Sequence, residues 1–303
     1  MYKNILENCN LCIRNCGVNR LDNKIGFCRS TSTLKIARAD LHHWEEPCIS
    51  GIYGSGTIFF SNCNLSCVFC QNHQISQEGF GESISTARLS EIFLELQNKK
   101  AHNINLVTPT HYVPQIIEAL DMAKKKGLII PIVYNTNSID SLETIKLLDG
   151  YIDIYLPDFK YYSDKFSLKY SNISNYSENV LSIISEMVRQ VGEPKFSNSG
   201  LMLKGVIVRH LLLPGLLFDS KKVVDSIYNT FHNRVFISLM NQYTPSYKST
   251  DYPEINKLLN PKVYDSLVDY AINLGVKNGF IQDSSSASEV FIPDFNGTGV
   301  KKN

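Results

Sequence analysis

Apolar, β-branched runs alternate with amphipathic segments over most of the chain. Six of the runs have the length and composition of buried strands: residues 57–60, 104–108, 129–134, 152–156, 205–212 and 235–239. Such runs, separated by segments of helical periodicity, predict βα units and a parallel sheet. Periodicity alone does not decide between a barrel and a doubly wound sheet.

The amphipathic segments carry apolar residues at helical spacing and boundary signals at their ends. Two of them are marked by Leu89, Ile92, Phe93 and Leu96 and by Ile116, Ile117, Leu120 and Ala123. Proline in a first turn, glycine after an end and asparagine before a start predict where helices begin and stop. Those signals are Pro114, Gly127, Asn260, Pro261 and Gly275.

The first fifty residues differ from the rest, because they are rich in cysteine and show little helical periodicity. We expect residues 1–50 to form a small lobe shaped by what the cysteines bind, and residues 51–303 to form the βα domain. The composition of residues 194–200 predicts a loop before the fifth strand. The tail after Pro293 is expected to be frayed.

Composition and charge place the chain among globular proteins. Its 303 residues are 43% hydrophobic and 19% charged, which is sufficient for a substantial core. The formal net charge of +1 does not indicate binding to nucleic acids or other polyanions. No apolar run approaches the roughly 20 residues of a membrane span, and the first residues lack a signal-peptide pattern. We therefore expect a cytoplasmic protein without a membrane partner or a clear nucleic-acid partner.

The eight cysteines favour metal or redox chemistry over disulfides, because the sequence has no export signal. Residues 63–70 read CNLSCVFC, which places Cys63, Cys67 and Cys70 at C-x3-C-x2-C spacing directly after the first predicted strand. Soft thiolate ligands select iron–sulfur clusters or zinc. Three cysteines on a four-iron cluster leave one iron open to an outside ligand, whereas a zinc site would need a distant fourth ligand.

The CNLSCVFC loop, with Phe69 before its third cysteine, resembles the radical S-adenosylmethionine (SAM) superfamily. Residues 42–76 resemble, more narrowly, proteins similar to pyruvate formate-lyase activating enzyme. The resemblance implies a partial (β/α)6 TIM-like barrel in which Cys63, Cys67 and Cys70 hold a 4Fe-4S cluster. It also implies oxidoreductase-type chemistry, in which the cluster reductively cleaves bound SAM to a 5′-deoxyadenosyl radical that abstracts hydrogen from a substrate. Such a cluster would be oxygen-sensitive.

Other strand ends match positions that contact the cofactor in that family. The matching stretches are Asn135-Thr136-Asn137-Ser138, Asp158-Phe159-Lys160, Arg209 with Pro214-Gly215, and Met240-Asn241-Gln242-Tyr243. Asn135 replaces an aspartate that helps hold a monovalent cation in the activating enzymes. Thr108 and Thr110 stand where the superfamily commonly carries Gly-Gly-Glu. The resemblance therefore implies cofactor contacts by Phe69, Thr108, Asn135, Thr136, Asp158, Lys160, Arg209 and Asn241.

The N-terminal cysteines form a second group, Cys9, Cys12, Cys16 and Cys28, at C-x2-C-x3-C-x11-C spacing. Four thiolates can close a tetrahedral zinc site or ligate a second iron–sulfur cluster, and the spacing leaves both possibilities open. Cys48 stands alone and is expected to be a buried apolar residue. The run His42-His43-Trp44-Glu45-Glu46 is expected to contribute substrate-side contacts.

Three hypotheses for function follow. The first is a radical SAM enzyme that acts on a protein or peptide, such as the backbone glycine of a glycyl-radical enzyme. The second is a radical enzyme that acts on a small molecule by epimerisation or rearrangement. The third is a non-catalytic iron–sulfur or zinc protein, which quantitative SAM cleavage would exclude. For the first two, the family implies a low-potential ferredoxin or flavodoxin as reductant.

Overall fold

One sheet runs through the computed structural model, which describes residues 3–282 and 292–302. Its strands within these residues are β1 (Leu34–His42), β2 (Ser55–Phe60), β3 (Glu82–Ile84), β4 (Ile104–Val107), β5 (Ile132–Thr136), β6 (Ile154–Pro157), β7 (Lys195–Phe196), β8 (Met202–Leu211), β9 (Phe236–Met240) and β10 (Gly279–Ile281). Their order across the sheet is β10-β9-β8-β6-β5-β4-β2-β1-β3, and β7 pairs with β8.

The sheet is mostly parallel and open. The pairs in the order β2-β4-β5-β6-β8-β9-β10 are all parallel. Strand β1 pairs antiparallel with both β2 and β3, and β7 pairs antiparallel with β8. Among the described strands, β10 and β3 remain at opposite edges and do not pair with each other. The structure thus confirms an α/β fold of partial-barrel type and brings the carboxyl ends of the parallel strands to one side.

Helices connect and cover the strands. They are α1 (Lys3–Glu7), α2 (Pro47–Ser50), α3 (His73–Ser76), α4 (Thr86–Asn98), α5 (Val113–Lys125), α6 (Leu142–Leu147), α7 (Asp164–Ser171), α8 (Tyr176–Val191), α9 (Leu217–Phe231) and α10 (Pro261–Leu274), with 3-10 turns at Thr110–Tyr112, His232–Arg234 and Ser249–Asp251. The predicted boundaries are confirmed at α10, where the Asn260 side chain accepts from the Lys262 N–H and Gly275 caps the end at φ +108°. In the described ranges, no helix combines the length and hydrophobicity needed to cross a membrane.

The six predicted strands correspond to β2, β4, β5, β6, β8 and β9, with differences at their ends. β5 begins at Ile132 rather than at Ile129, because Pro131 precedes it and the Ile129 side chain is 86% exposed. β4 ends at Val107, since Thr108 has φ +56° and leaves the extended conformation. Residues 34–42, assigned from sequence to the N-terminal lobe, supply strand β1 of the main sheet.

The prediction of a frayed tail after Pro293 is wrong for the residues that the structure describes. The Gly297 N–H donates to the Ala37 carbonyl oxygen at 3.0 Å, and the Ala39 N–H donates to the Thr298 carbonyl oxygen at 2.9 Å. The Val300 side chain is fully buried. β3 pairs with β1 only over residues 34–36, so backbone groups farther along β1 need another partner.

Candidate active site

The loop that carries Cys63, Cys67 and Cys70 leaves the carboxyl end of β2 and is held by neighbouring elements. The Asn62 N–H donates to the Ile75 carbonyl oxygen at 2.8 Å, and the Val68 N–H donates to the Tyr170 carbonyl oxygen at 2.9 Å. Asn62 itself has φ +72°, a conformation that asparagine adopts more readily than most residues. The ends of α7 and α3 therefore fix the loop on both sides.

Each thiol on this loop has hydrogen-bonding groups beside it. The Leu65 N–H and the Asn137 amide lie 3.3 Å from Cys63 Sγ, Ser171 Oγ lies 3.0 Å from Cys67 Sγ, and Ser76 Oγ lies 3.2 Å from Cys70 Sγ. Hydrogen bonds from such groups stabilise negative charge on sulfur. The surroundings thus suit three thiolates that share one cationic centre.

Burial dominates the acidity of these thiols. It raises the pKa of Cys63 to about 12 and the pKa of Cys67 to about 11, and it also raises the pKa of Cys70. A buried thiol loses its proton when a metal ion binds the sulfur, because the cation stabilises the thiolate. Within residues 3–282 and 292–302, no group of three or more His, Cys, Asp or Glu side chains is gathered at metal-binding distances. The fit to a cluster rests on donor type, loop position and hydrogen-bonding neighbours.

The three thiols face a cavity of about 280 Å³ at the carboxyl ends of the parallel strands. Predicted cofactor-binding residues line the same cavity: Thr108, Asn135, Asp158, Lys160 and Arg209. These side chains come from the ends of β4, β5, β6 and β8, so parallel strand order gathers residues that lie far apart in sequence. The cavity is therefore lined both by soft sulfur ligands and by polar or charged side chains. We call the side chains of Thr108, Asn135, Asp158, Lys160 and Arg209 the polar wall.

Arg209 is the centre of the polar wall. Its guanidinium lies 2.9 Å from Asp158 Oδ1, 2.5 Å from Asn135 Oδ1 and 3.3 Å from Glu45 Oε2. Lys160 Nζ lies 2.6 Å from the other Asp158 oxygen. Two cations and two carboxylates are thus packed against the site in a connected network.

Asp158, Lys160 and Arg209 hold one another in their ionised forms. Burial alone would raise the pKa of Asp158, but Lys160 and Arg209 hold it below its usual range. Burial would lower the pKa of Lys160, and the Asp158 carboxylate reverses that effect. Burial raises the pKa of Glu45, and Arg209 only partly opposes the shift. Asp158, Lys160 and Arg209 are therefore charged and already paired with each other, whereas burial favours the neutral form of Glu45.

Glu45 reaches the site from the segment between β1 and β2. Its Oε1 accepts from the Asn105 amide at 3.0 Å inside the barrel, while its Oε2 faces Arg209. His42, the last residue of β1, and Trp44, from the segment between β1 and β2, also line the cavity. Three of the five residues in the run 42–46 thus line the cavity, and substrate-side contacts by this run stay a prediction. Spacing along the chain could not have placed the Glu45 carboxylate on Arg209.

Three predicted cofactor-binding residues do not line the cavity. Phe69 is buried and its ring packs edge-to-face with Tyr243, at 5.9 Å between centroids. Thr136 Oγ1 donates to the buried Asp140 carboxylate at 2.5 Å. Asn241 contacts Gln282 through both its backbone N–H and its amide.

The sequence analysis did not identify several residues that lie at the site. Ser171 and Ser76 lie beside the thiols because α7 and α3 end near the loop, a tertiary relationship that spacing does not encode. Asn137, Met240 and Gln242 line the cavity and stand in the turn and strand end that the family resemblance had marked. The resemblance therefore located the correct segments more reliably than the individual side chains.

All eight cysteines are free thiols. Cys48 is buried, as expected for an apolar residue. Cys9 and Cys28 are buried as well, while Cys12 is half-buried and Cys16 is exposed. None of these four cysteines lines the cavity.

One family model and one relative match most of the chain. The model of the Radical SAM superfamily matches residues 57–216. Uncharacterized protein MJ0674 of Methanocaldococcus jannaschii is 32% identical over 280 residues, which cover 89% of this chain and 75% of that protein.

Two solved structures are similar in fold. The crystal structure of Streptococcus suis SuiB bound to S-adenosylmethionine matches with a TM-score of 0.53 and 15% identity, covering 73% of this chain and 48% of SuiB. The X-ray structure of the FeFe-hydrogenase maturase HydG from Carboxydothermus hydrogenoformans matches with a TM-score of 0.50 and 12% identity, covering 78% of this chain and 56% of HydG. The chain thus spans about half the length of these solved proteins.

Proposed function

The chain belongs to the radical SAM superfamily and is an enzyme of that class, and on this premise we propose how its site works. Cys63, Cys67 and Cys70 ligate a 4Fe-4S cluster, and SAM occupies the adjoining cavity. The proposal rests on one observation: the three thiols and the charged side chains of Asp158, Lys160 and Arg209 line the same cavity of about 280 Å³. A cluster with one open iron needs the three thiols as ligands. The amino-acid moiety of SAM beside it needs the charged side chains.

When bound by Cys63, Cys67 and Cys70, the cluster would supply the one electron for reductive cleavage of SAM into methionine and a 5′-deoxyadenosyl radical, which would abstract hydrogen from the substrate. The chain contributes orientation and charge. Asn137, Ser171 and Ser76 donate hydrogen bonds toward the thiolates. Asp158 offers a carboxylate to an ammonium group, and Lys160 and Arg209 offer cations to a carboxylate.

We propose that the substrate is a peptide or protein, and that the abstracted hydrogen comes from a backbone glycine as in glycyl-radical activation. The open sheet supports this class, because the edge strands β10 and β3 do not pair with each other among the described strands. Trp44 and His42 on the cavity wall offer ring surfaces for packing against a peptide. A low-potential ferredoxin or flavodoxin is the proposed reductant.

The first test is cofactor cleavage. Protein reconstituted without oxygen, given dithionite and SAM, is expected to form 5′-deoxyadenosine, and Cys67→Ala is expected to abolish it. Cys48→Ala is the matched control, because Cys48 is a buried cysteine that does not line the cavity. Full cleavage by Cys67→Ala would refute the cluster assignment.

A second test separates peptide from small-molecule substrates. Glycine-containing peptides with deuterium at the glycine Cα are incubated with enzyme, SAM and reductant, and deuterium in 5′-deoxyadenosine is measured by mass spectrometry. Transfer of deuterium supports the peptide class. Robust SAM cleavage without transfer from any peptide, but with transfer from a deuterated small-molecule fraction, would assign the enzyme to the second class.

A further inference from the structure

A second cavity, of about 390 Å³, adjoins the cavity of the candidate active site. The two cavities share the lining residues Gln71, Ile292 and Pro293. The rest of the second lining is His73, Gln74, Glu78, Asp294 and Phe295. Because Gln74, Glu78 and Asp294 are exposed, we call this second cavity the outer groove. A ligand in the active-site cavity can continue into the outer groove across the shared residues.

The shared residues Ile292 and Pro293 belong to the C-terminal segment (residues 292–302), which is held against the sheet directly after them. Arg38 Nη1, on β1, donates to the Asp294 carbonyl oxygen at 3.1 Å. The Phe295 ring packs edge-to-face with Phe59 of β2, at 5.3 Å between centroids. Contacts to both β1 and β2 therefore hold the boundary between the two cavities in place.

Part of the active-site cavity is apolar. Phe59, Ile75, Ile292 and Pro293 line it, and we call them the apolar wall. Ile292 packs against a buried cluster that includes Phe59 and Ile75. The apolar wall comes from β2, α3 and the C-terminal segment, whereas the polar wall comes from the ends of β4, β5, β6 and β8. An apolar lining favours an apolar group of a ligand, because binding there removes apolar surface from water.

The polar groups of SAM have partners elsewhere in the cavity. The charges of Asp158, Lys160 and Arg209 suit its amino-acid moiety. Its adenine carries nitrogen atoms that need hydrogen bonds when they are buried, and the side-chain amides of Asn72 and Gln242 line the same cavity. The side chains of the apolar wall carry no hydrogen-bonding group. This leaves the apolar wall to the substrate.

The outer groove is lined by two carboxylates, those of Glu78 and Asp294. Glu78 Oε1 lies 2.8 Å from His73 Nδ1, and the Glu78 side chain is 58% exposed. Arg38, which contacts the Asp294 carbonyl oxygen, is itself paired with Asp40 at 3.2 Å. No lysine or arginine is among the lining residues that the structure describes for this groove. Its carboxylates therefore favour a cationic side chain and disfavour an anionic one.

We propose that the substrate is an extended peptide that lies across both cavities. An apolar side chain beside the reacting glycine binds the apolar wall, and a basic side chain farther along the peptide binds the outer groove. Ile292 and Asp294 are then specificity-determining residues, for the apolar and the basic side chain respectively. The proposal rests on the proposed function and names the class of peptide that the site takes.

The first experiment measures peptide binding without turnover. Enzyme reconstituted without oxygen is given SAM but no reductant, and the fluorescence anisotropy of labelled peptides gives Kd. Each peptide contains Leu beside Gly, and a Lys that is moved along the peptide one position at a time. With Lys at its best position, replacing Leu by Ser or Lys by Glu is expected to raise Kd about tenfold. Equal Kd values for all peptides, or no binding by any, would overturn the proposal.

The second experiment changes the enzyme, and it uses preferences that a merely structural role would not alter. Asp294→Lys is expected to bind the Glu peptide more tightly than the Lys peptide, which reverses the wild-type order. Ile292→Ser is expected to bind the Leu and Ser peptides equally. The matched controls Asp269→Lys and Ile129→Ser change exposed residues that line neither cavity, and should keep the wild-type preferences. Wild-type preferences in both test variants would refute the two assignments.

The outcome for the outer groove and the outcome for the proposed function are separated by adding reductant to the same mixtures. Deuterium transfer from the glycine Cα to 5′-deoxyadenosine is then measured for each peptide. Selective binding and SAM cleavage without transfer would support the groove and contradict glycine as the site of hydrogen abstraction. Transfer from peptides that bind without selectivity would support the proposed function and contradict the groove.

Discussion

The guanidinium of Arg209 lies 2.9 Å from the carboxylate of Asp158, across the ends of neighbouring strands β6 and β8. The same contact continues in the backbone, where the Phe159 N–H donates to the Arg209 carbonyl oxygen at 2.8 Å. Main chain and side chain thus lock two strand ends together at the wall of the cavity. The wall is a structural unit as well as a binding surface.

Replacing Asp158 by asparagine is expected to destabilise the protein strongly. Arg209 and Lys160 would be left as buried cations without their shared partner, at a cost of about 3–5 kcal/mol. Chemical denaturation of the variant measures the loss. Glu143→Gln is the control, since it breaks the exposed Lys146–Glu143 pair and should cost less than about 1 kcal/mol. Equal losses would contradict the role assigned to the buried network.

SAM cleavage is expected not to depend on a monovalent cation. In the activating enzymes that this chain resembles, an aspartate at the place of Asn135 helps to hold such a cation. Here the Arg209 guanidinium already contacts both Asn135 Oδ1 and Asp158, so positive charge is supplied by the chain. We expect equal rates of 5′-deoxyadenosine formation in potassium and in tetramethylammonium buffers. A rate several-fold lower without potassium would refute this expectation.

Thr108 is expected to hold a strained backbone conformation. Its φ of +56° lies in the left-handed region, which a β-branched residue rarely adopts. Asparagine tolerates this region and valine does not, so Thr108→Asn should be more stable than Thr108→Val by about 1 kcal/mol. Denaturation curves of the two variants give the difference. A valine variant as stable as the asparagine variant would show that the strain is absent.

Stability is expected to fall as the solution becomes acidic, in part through His210. Burial lowers the pKa of His210 to about 4, and its Nδ1 lies 2.7 Å from the Phe159 carbonyl oxygen. The His210 imidazole takes up a proton near pH 6.5 in the unfolded state, but only near pH 4 in the folded state. The stability associated with neutral His210 is therefore fully present above pH 6.5, and it is lost as the pH falls from 6.5 to 4.

The measurement for His210 is the free energy of unfolding at pH 7.5 and at pH 5. Linkage gives a loss of about 2 kcal/mol from this one residue over that interval. His210→Phe removes the titrating group while keeping a ring, so its stability should depend less on pH by about that amount. An identical pH dependence in wild type and variant would rule out His210 as a contributor.

Sequence patterns predicted the sheet well, because buried parallel strands need apolar, β-branched runs such as those at β4 and β9. They also predicted that polar residues after these strands would meet, because parallel order places their carboxyl ends together. Asp158, Lys160 and Arg209 lie on the cavity for this reason. The pattern could not predict that Asp158 pairs with both Lys160 and Arg209, because pairing depends on the direction of each side chain.

Features built from distant segments had no local signature. Ser171 approaches Cys67 across 104 positions of sequence, and Glu45 approaches Arg209 across 164. Phe69 and Thr136 follow family motifs, but their side chains pack into the core. Tertiary packing decides such details, and periodicity reports only which face of an element is buried.

The segment of residues 292–302 has a consequence for the solution behaviour of the whole molecule. By occupying backbone groups of Ala37 and Ala39, it covers a stretch of β1 that β3 leaves without a partner. An uncovered strand edge recruits strands from other molecules. The segment therefore prevents edge-to-edge aggregation through β1. A protein without residues 292–302 is expected to aggregate under conditions in which it is still folded.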